Sequence, residues 1–169
     1  MSPYQIRPGN PYYRTALSAL ILLLLTSVHH AYGAAVYDTP WRMQIVFIAA
    51  LAAMLIAGLL YVGWRRGEET LGRAATWLAI VVTVAFPIGM IGMFEGGYNH
   101  VLKNIIYYSD VGIVRFRELF PAPAYEMPGN AVFELTGIAQ FFVALWVAVE
   151  VARLILMIAP ARRRQSRVR

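Results

Sequence analysis

Three histidines and several carboxylates lie in or next to long apolar stretches. Placing an ionisable group inside such a stretch costs free energy if the stretch crosses a membrane. His29 and His30 come late in the first apolar run, and Glu95 and His100 follow the third. Glu134 lies at the start of the fourth run. A charge at the centre of a bilayer costs about 2.5–3.5 kcal/mol on insertion scales, so such groups usually face the protein interior or water. These five residues are therefore the candidate site.

Imidazole and carboxylate groups together form the ligand set that proteins use for zinc, copper, iron and manganese. Helix bundles often hold such metals with side chains from several helices. We predict a divalent transition-metal site, with one carboxylate, Glu95 or Glu134, acting as catalytic general base. The chain has no HExxH motif and no ligand pair at i,i+4, so spacing alone names neither the metal nor the reaction. The predicted ligands are His29, His30, His100, Glu95 and Glu134.

Helix geometry limits how these side chains can meet. Adjacent positions differ by about 100° in an α-helix, so His29 and His30 are not expected to face one point. The rise per residue places Glu95 at the membrane surface and His29 about two or three turns deeper. The five-residue spacing of Glu95 and His100 fits one helix face poorly unless the helix ends at Gly96 and Gly97. We therefore predict one outward-opening cavity with ligands at different depths.

Other polar residues near these positions are predicted to have supporting roles. Asn130 precedes Glu134 by about one turn on the same helix face. Farther along this run, Glu150 and Arg153 are three residues apart and predict an intramembrane ion pair, structural in role, with no third partner. The residues predicted to position a substrate are Tyr98, Asn99, Asn130, Asp38 and Arg42.

The elements that must hold this site are membrane-spanning helices. Of 169 residues, 59% are hydrophobic and only 14% are charged, a balance that a soluble domain of this size does not have. A helix needs about 20 apolar residues to cross a bilayer. We predict an all-α integral membrane protein, a single domain over 1–169 built as a four-transmembrane-helix bundle. The predicted spans are 17–36, 45–62, 74–94 and 131–158.

A long loop, predicted over 95–130, joins the third and fourth spans. Apolar residues at helical spacing near 101–106 predict a short amphipathic helix lying in the interface. Three prolines then interrupt the chain before the fourth span: Pro121, Pro123 and Pro128. The loop is therefore expected to be partly helical.

Basic residues predict the orientation, because cytoplasmic flanks are enriched in Lys and Arg. Ten basic residues flank one side: Arg7, Arg14, Arg65, Arg66, Arg73, Arg162, Arg163, Arg164, Arg167 and Arg169. Four flank the other: Arg42, Lys103, Arg115 and Arg117. We predict a multi-pass inner (plasma) membrane protein with both termini cytoplasmic, a basic tail over 159–169, and a periplasmic-facing site. A cleaved signal peptide ending near 31–35 is the alternative for the first segment.

Composition also excludes several classes. The absence of cysteine excludes disulfides, thiolate metal sites and iron–sulfur clusters. The net charge of +6 does not predict nucleic-acid binding, because the basic residues flank apolar segments. The lipid bilayer is the expected partner. Small residues at four-residue spacing, Ala49, Ala53 and Ala57, also fit a homo-oligomer or a membrane-complex partner.

Three functions fit these observations. The first is a metal-dependent oxidoreductase or hydrolase acting on a lipid-soluble substrate. The second is an electron carrier whose b-type haem is held by a first-segment histidine and His100. The third is a non-catalytic accessory or assembly subunit of a larger membrane complex. A transporter is disfavoured, because no inverted repeat is visible and the ionisable residues gather at one mouth.

Overall fold

The protein is a bundle of long helices in a computed structural model that describes residues 9–109, 112–122 and 125–159. No strand occurs within those ranges. The helices in chain order are α1 (Pro11–Val36), a 3₁₀ turn (Pro40–Arg42), α2 (Met43–Arg65), α3 (Thr70–Thr83), a π-helical segment (Val84–Leu102), α4 (Lys103–Tyr108), α5 (Ile113–Leu119) and α6 (Ala131–Ile158). We call Val84–Leu102 the π segment. The all-helical fold class is confirmed.

Four helical stretches are long and apolar enough to cross a membrane: Pro11–Val36, Pro40–Arg65, Thr70–Tyr108 and Ala131–Ile158. The third is one continuous helical stretch formed by α3, the π segment and α4. It therefore runs well past the predicted end at residue 94. Residues 101–108 belong to this helix rather than to a separate interfacial helix, whereas α5 lies within the predicted loop. Apolar side chains at 101, 102, 105 and 106 continue the helical pattern across the expected boundary.

Polar caps define where the first and last spans begin. The side chain of Asn10 accepts a hydrogen bond from the Tyr12 amide at 2.9 Å, and Pro11 occupies the first turn of α1. The Asn130 side chain accepts from the Phe133 amide at 3.0 Å at the start of α6. Each cap satisfies an N–H group that the helix leaves without a partner.

The third span leans across the bundle, and this lean shapes the site. Its first part, α3, packs against α2, whereas the π segment packs mainly against α6. Pro87 lies inside the π segment, where its ring removes a backbone donor and favours a bend. The π segment and α2 are not among the element pairs that pack extensively. A gap therefore opens between them toward the end of the bundle that carries the histidines.

Small residues let the π segment lie close to α6. A Cβ atom added at Gly96 would lie 2.5 Å from the Phe141 backbone nitrogen, and one at Gly92 would collide with Ala144. The close approach brings the polar side chains of the two helices within reach of each other.

An ion cluster joins α1 to α6 at the opposite end of the bundle. Glu150 is fully buried, and its Oε1 accepts from Arg14 at 2.7 Å, Arg153 at 2.8 Å and Trp146 at 3.1 Å. The predicted Glu150–Arg153 pair is present. The expectation that it has no third partner is wrong, because Arg14 reaches it from a distant part of the sequence.

The predicted orientation stays a prediction, since the helices carry no record of which side of a membrane they face. The residues on which it depends include Arg7 and the basic tail from Arg162 to Arg169, which lie outside the described ranges. Pro123 of the predicted loop also lies outside them.

Candidate metal centre

Three imidazole rings converge on one carboxylate oxygen. The Nε2 atoms of His29 and His100 each lie 3.5 Å from Glu95 Oε1, and His30 Nε2 lies 4.0 Å from the same oxygen. One ligand atom each from His29, Glu95 and His100 fall within 4.8 Å of one another, a group that could hold a metal ion. Four of the five predicted ligands therefore meet at one point.

The hydrogen bond of His29 determines which of its nitrogens faces that point. Its Nδ1 lies 2.9 Å from Thr136 Oγ1. The Thr136 hydroxyl donates to the Val132 carbonyl at 2.8 Å, so Oγ1 acts as acceptor toward the imidazole. Nδ1 therefore carries the proton, and the Nε2 lone pair is directed at Glu95. Within the described chain, this buried Nε2 has no hydrogen-bond partner.

Glu134 orients His100 in the same way. Its Oε2 lies 2.8 Å from His100 Nδ1 and accepts from Asn104 Nδ2 at 2.5 Å, and its Oε1 accepts from Lys103 Nζ at 3.0 Å. A carboxylate held by two further donors is an acceptor, so His100 Nδ1 is the donor, and in the neutral imidazole its Nε2 carries the lone pair. Carboxylate–histidine pairs of this kind commonly orient metal-ligating imidazoles.

One carboxylate oxygen of Glu95 accepts a hydrogen bond, and the other faces the histidines. Asn99 Nδ2 donates to Glu95 Oε2 at 2.6 Å, whereas Oε1 faces the three Nε2 atoms. The assigned tautomers of His29 and His100 place two nitrogen lone pairs opposite this anionic oxygen. Three acceptors facing one another repel unless a cation lies between them.

The distances fit a metal ion better than direct hydrogen bonds. An N–H···O bond is normally 2.7–3.2 Å long, shorter than the 3.5 Å seen here. Ligands about 2.1 Å from a tetrahedral metal lie about 3.4 Å from one another. The separations of His29 and His100 from Glu95 therefore match the edges of a small coordination polyhedron, and His30 lies slightly outside it.

Helix winding explains why Glu95 and His100 share a face. They lie in the π segment, whose hydrogen bonds join residues five apart. In such a helix, positions i and i+5 lie much closer to one face than in an α-helix, where they differ by about 140° around the axis. The expectation that the helix must end at Gly96 and Gly97 is wrong, because the wider winding brings the two side chains together without a break.

The depth and direction expected for the two first-segment histidines are also corrected. His29 lies at the same level as Glu95 rather than two or three turns below it, because α1 begins at Pro11 and a π-helix advances less per residue. Both His29 and His30 approach Glu95, with their rings edge to face at 5.2 Å between centroids. Their long side chains compensate for the rotation between adjacent helix positions.

Two close contacts fix the position of the His100 ring. Gly137 on α6 lies directly beside this ring, and a Cβ atom there would collide with it. The Phe133 ring packs edge to face on His100 at 5.1 Å and stacks on His29 at 4.3 Å. The imidazoles are thus held by packing as well as by hydrogen bonds.

Other predicted residues lie farther from the Nε2 atoms. Asn130 caps α6 and also bonds to the Tyr32 hydroxyl. Tyr98 stacks on Phe94 at 5.8 Å and packs on Phe120 at 5.3 Å. Asp38 is exposed in the turn after α1, where it adopts a φ of 50°. The structure therefore places these three predicted substrate-positioning residues in capping, aromatic-packing and turn positions.

Arg42 and Asn99 are the two predicted positioning residues that do line a cavity beside the candidate ligands. This cavity has a volume of about 360 Å³ and is bordered by His30, Glu95 and His100. Arg42 is buried and pairs with Glu126 Oε1 at 2.9 Å. The cavity occupies the gap between α2 and the π segment. It gives the candidate site an opening large enough for a small ligand.

Sequence reasoning missed the residues that orient the ligands. The sequence does not mark Thr136, Asn104 or Gly137 as part of a site, and it predicts Lys103 only as a flanking charge. A signal for Lys103 did exist, since a lysine within an apolar helical pattern usually has a buried partner. The threonine and the glycine are common helix residues, and only the partner helix gives them a role.

Comparisons with known proteins give this chain no relative: no family model, no curated protein and no solved structure matches it.

Proposed function

We propose that this chain is a membrane metalloprotein that binds one divalent transition-metal ion, zinc, copper, iron or manganese, through His29, His100 and Glu95. The observation that supports this most directly is the meeting of two imidazole Nε2 atoms with an anionic oxygen at 3.5 Å each. All three are acceptors when the two imidazoles are neutral, because the contacts with Thr136 and Glu134 place the ring protons on Nδ1. A cation at their centre satisfies all three at once.

The charges around the candidate metal centre support the same conclusion. Glu134 is compensated by Lys103, and Glu126 by Arg42, at 3.0 and 2.9 Å. Within the described residues, Glu95 pairs only with the Asn99 amide and with histidines, and with no Lys or Arg. A poorly exposed carboxylate in a membrane-spanning helix is costly without a countercharge. A divalent ion supplies that charge.

Three protein ligands and an adjacent cavity are the arrangement of a catalytic rather than a purely structural metal site. His30, at 4.0 Å from Glu95 Oε1 and bordering the cavity, is placed to act as a fourth ligand or as a base toward a bound substrate. Glu134 already accepts hydrogen bonds from three donors. We therefore assign it the role of orienting His100 and not that of a metal ligand or a base. The reaction classes that fit are metal-dependent oxidation or hydrolysis of a lipid-soluble substrate.

The haem alternative fits the geometry less well. A bis-histidine haem requires the two imidazoles on opposite faces of a macrocycle. The rings of His29 and His100 lie edge to face with centroids 4.8 Å apart, and Glu95 occupies the place where their Nε2 atoms point. A role as accessory subunit has no specific contact in its favour and stays an expectation from the sequence.

Elemental analysis of the detergent-purified protein tests the proposal. We expect about one transition-metal ion per chain after reconstitution, and loss of most of it in the His29→Gln and Glu95→Gln variants. Glu118→Gln, on an exposed helix of the loop, is the control and should keep the metal. Substoichiometric metal in the wild type, or full metal in a His29→Gln, His100→Gln double variant, would rule the proposal out.

A further inference from the structure

The side chains that line the cavity beside Glu95 indicate which kind of ligand it binds. We propose that it binds a membrane-dissolved molecule carrying a hydroxylated aromatic ring, with the hydroxyl group directed at the metal centre and the apolar tail leaving between α2 and the π segment. This inference rests on the proposed function, because the metal centre forms the polar end of the cavity.

The opening of the cavity faces the region that lipid chains would occupy. Ile45 of α2 lies on one side, and Met90 and Phe94 of the π segment lie on the other. Met90 and Phe94 are exposed, although they belong to a helix that is long and apolar enough to span a membrane. The gap between the two helices therefore opens sideways. A ligand dissolved in the bilayer can reach the site without passing through water.

The walls of the cavity are unusually aromatic. Trp41, Phe86, Phe94, Tyr125 and Phe133 all border it. Aromatic side chains pack favourably against a ring through stacked or edge-to-face contacts. The volume of about 360 Å³ accommodates one substituted ring with the first part of a tail. These features favour a ring over a bare acyl chain.

In the described part of the chain, three polar atoms on residues that border the cavity are unpaired, His30 Nδ1, Asn99 Oδ1 and Arg42 Nε, and the last two specify the group on the ring. Asn99 Oδ1, an acceptor, and Arg42 Nε, a donor, are buried without a hydrogen-bond partner among the described residues, and both residues border the cavity. A hydroxyl group donates one hydrogen bond and accepts others, so it can pair with both atoms. An ionised carboxylate only accepts and would leave Asn99 Oδ1 without a partner. A hydrocarbon would leave both atoms unpaired.

Tyr125 is consistent with a neutral ligand of this kind. It borders the cavity outside the membrane-spanning segments, and burial, with smaller contributions from Tyr98 and Glu95, raises the pKa of its phenol. It therefore stays protonated at neutral pH and adds no negative charge to the cavity.

The binding experiment uses the full-length, metal-loaded protein in nanodiscs with radiolabelled 4-heptylphenol. Unlabelled 4-heptylphenol, its methyl ether and decanoate compete for the label. We expect saturable binding of the phenol and competition by the methyl ether that is weaker by at least about tenfold, because the ether cannot donate to Asn99. Equal competition by the ether would overturn the assignment of a hydroxyl group. Stronger competition by decanoate would overturn it in favour of a carboxylate lipid.

Matched variants locate the binding site. Met90→Trp should narrow the opening and weaken phenol binding by at least about tenfold. Met93→Trp is the control: it lies three residues away on the same helix, is exposed and does not border the cavity. Asn99→Leu removes the acceptor, so it should reduce the difference in binding affinity between the phenol and its methyl ether. Equal effects of the two tryptophan substitutions would place phenol binding elsewhere.

Metal content, measured on the same samples, separates the two proposals. If the wild type holds about one metal ion but shows no saturable phenol binding, only the ligand assignment fails. If no metal is retained, the proposed function itself fails. Phenol binding to Met90→Trp at wild-type strength, with metal present, would also overturn the ligand assignment.

Discussion

His100 Nδ1 and Glu134 Oε2 lie 2.8 Å apart, on the side of the imidazole away from Glu95. The two residues are 34 positions apart in the sequence and belong to different helices. Their hydrogen bond fixes the tautomer and the direction of His100 Nε2. Glu134 thus contributes to the site without facing its centre.

Replacing Glu134 with Gln should weaken metal binding without abolishing it. The amide is nearly the same size but cannot accept from His100, Asn104 and Lys103 as an anion does, so the imidazole is oriented less firmly. We expect the dissociation constant for the metal to rise by about 10–100-fold. A competition titration with a metal chelator measures it, with Glu118→Gln as the matched control. An unchanged metal affinity would show that Glu134 does not support metal binding.

Thr136 offers a second test of ligand orientation. Thr136→Val keeps the shape but removes the oxygen that accepts from His29 Nδ1, and we expect about a 10–100-fold loss of metal affinity. Thr136→Ser keeps the hydroxyl and should stay close to wild type. The same chelator titration compares them. Equal losses in the two variants would indicate that packing, rather than the hydrogen bond, matters at this position.

Gly137→Ala should displace the His100 ring, because the added methyl group would occupy the space of the imidazole. We expect at least about a tenfold loss of metal affinity, together with a changed absorption spectrum of the cobalt-substituted protein. Gly58→Ala on α2 is the control, since nothing lies within 4 Å of its added Cβ atom. A normal cobalt spectrum for Gly137→Ala would contradict the described packing.

Substitution of Glu150 should affect stability rather than the metal. Glu150→Gln removes the charge that Arg14, Arg153 and Trp146 share, and we expect the free energy of unfolding to fall by about 1–3 kcal/mol. Denaturant titration in detergent measures the loss, and elemental analysis should show unchanged metal content. If the variant lost metal while its free energy of unfolding stayed unchanged, the two ends of the bundle would be coupled in a way that the described contacts do not explain.

The predicted orientation can be tested because the chain has no native cysteine. Glu118→Cys, in the loop before α6, should react with a membrane-impermeant maleimide added to intact cells. Glu68→Cys, in the turn between α2 and α3, should react only after the membrane is permeabilised. Both positions are exposed. The opposite labelling pattern would reverse the predicted topology and place the site on the cytoplasmic side.

The helical class, the number of long apolar helices and the residue types of the site could be predicted from the sequence, although the end of the third helix could not. Long apolar runs leave a backbone in lipid few options besides helices, and histidines or carboxylates inside such runs must find partners. His29, His100 and Glu95 could therefore be selected from composition and position alone. The π winding could not be predicted, because the spacing of Glu95 and His100 was judged by α-helical geometry.

Which candidate residues meet, and what orients them, depends on how the helices pack against one another. Glu134 was predicted as a ligand, yet its oxygens face His100 Nδ1, Lys103 and Asn104 rather than the centre. Thr136 and Gly137 acquire their roles from side chains on other helices. The physical reason is that one helix specifies which face a side chain occupies, whereas hydrogen-bond partners and steric limits depend on how closely a second helix packs against that face.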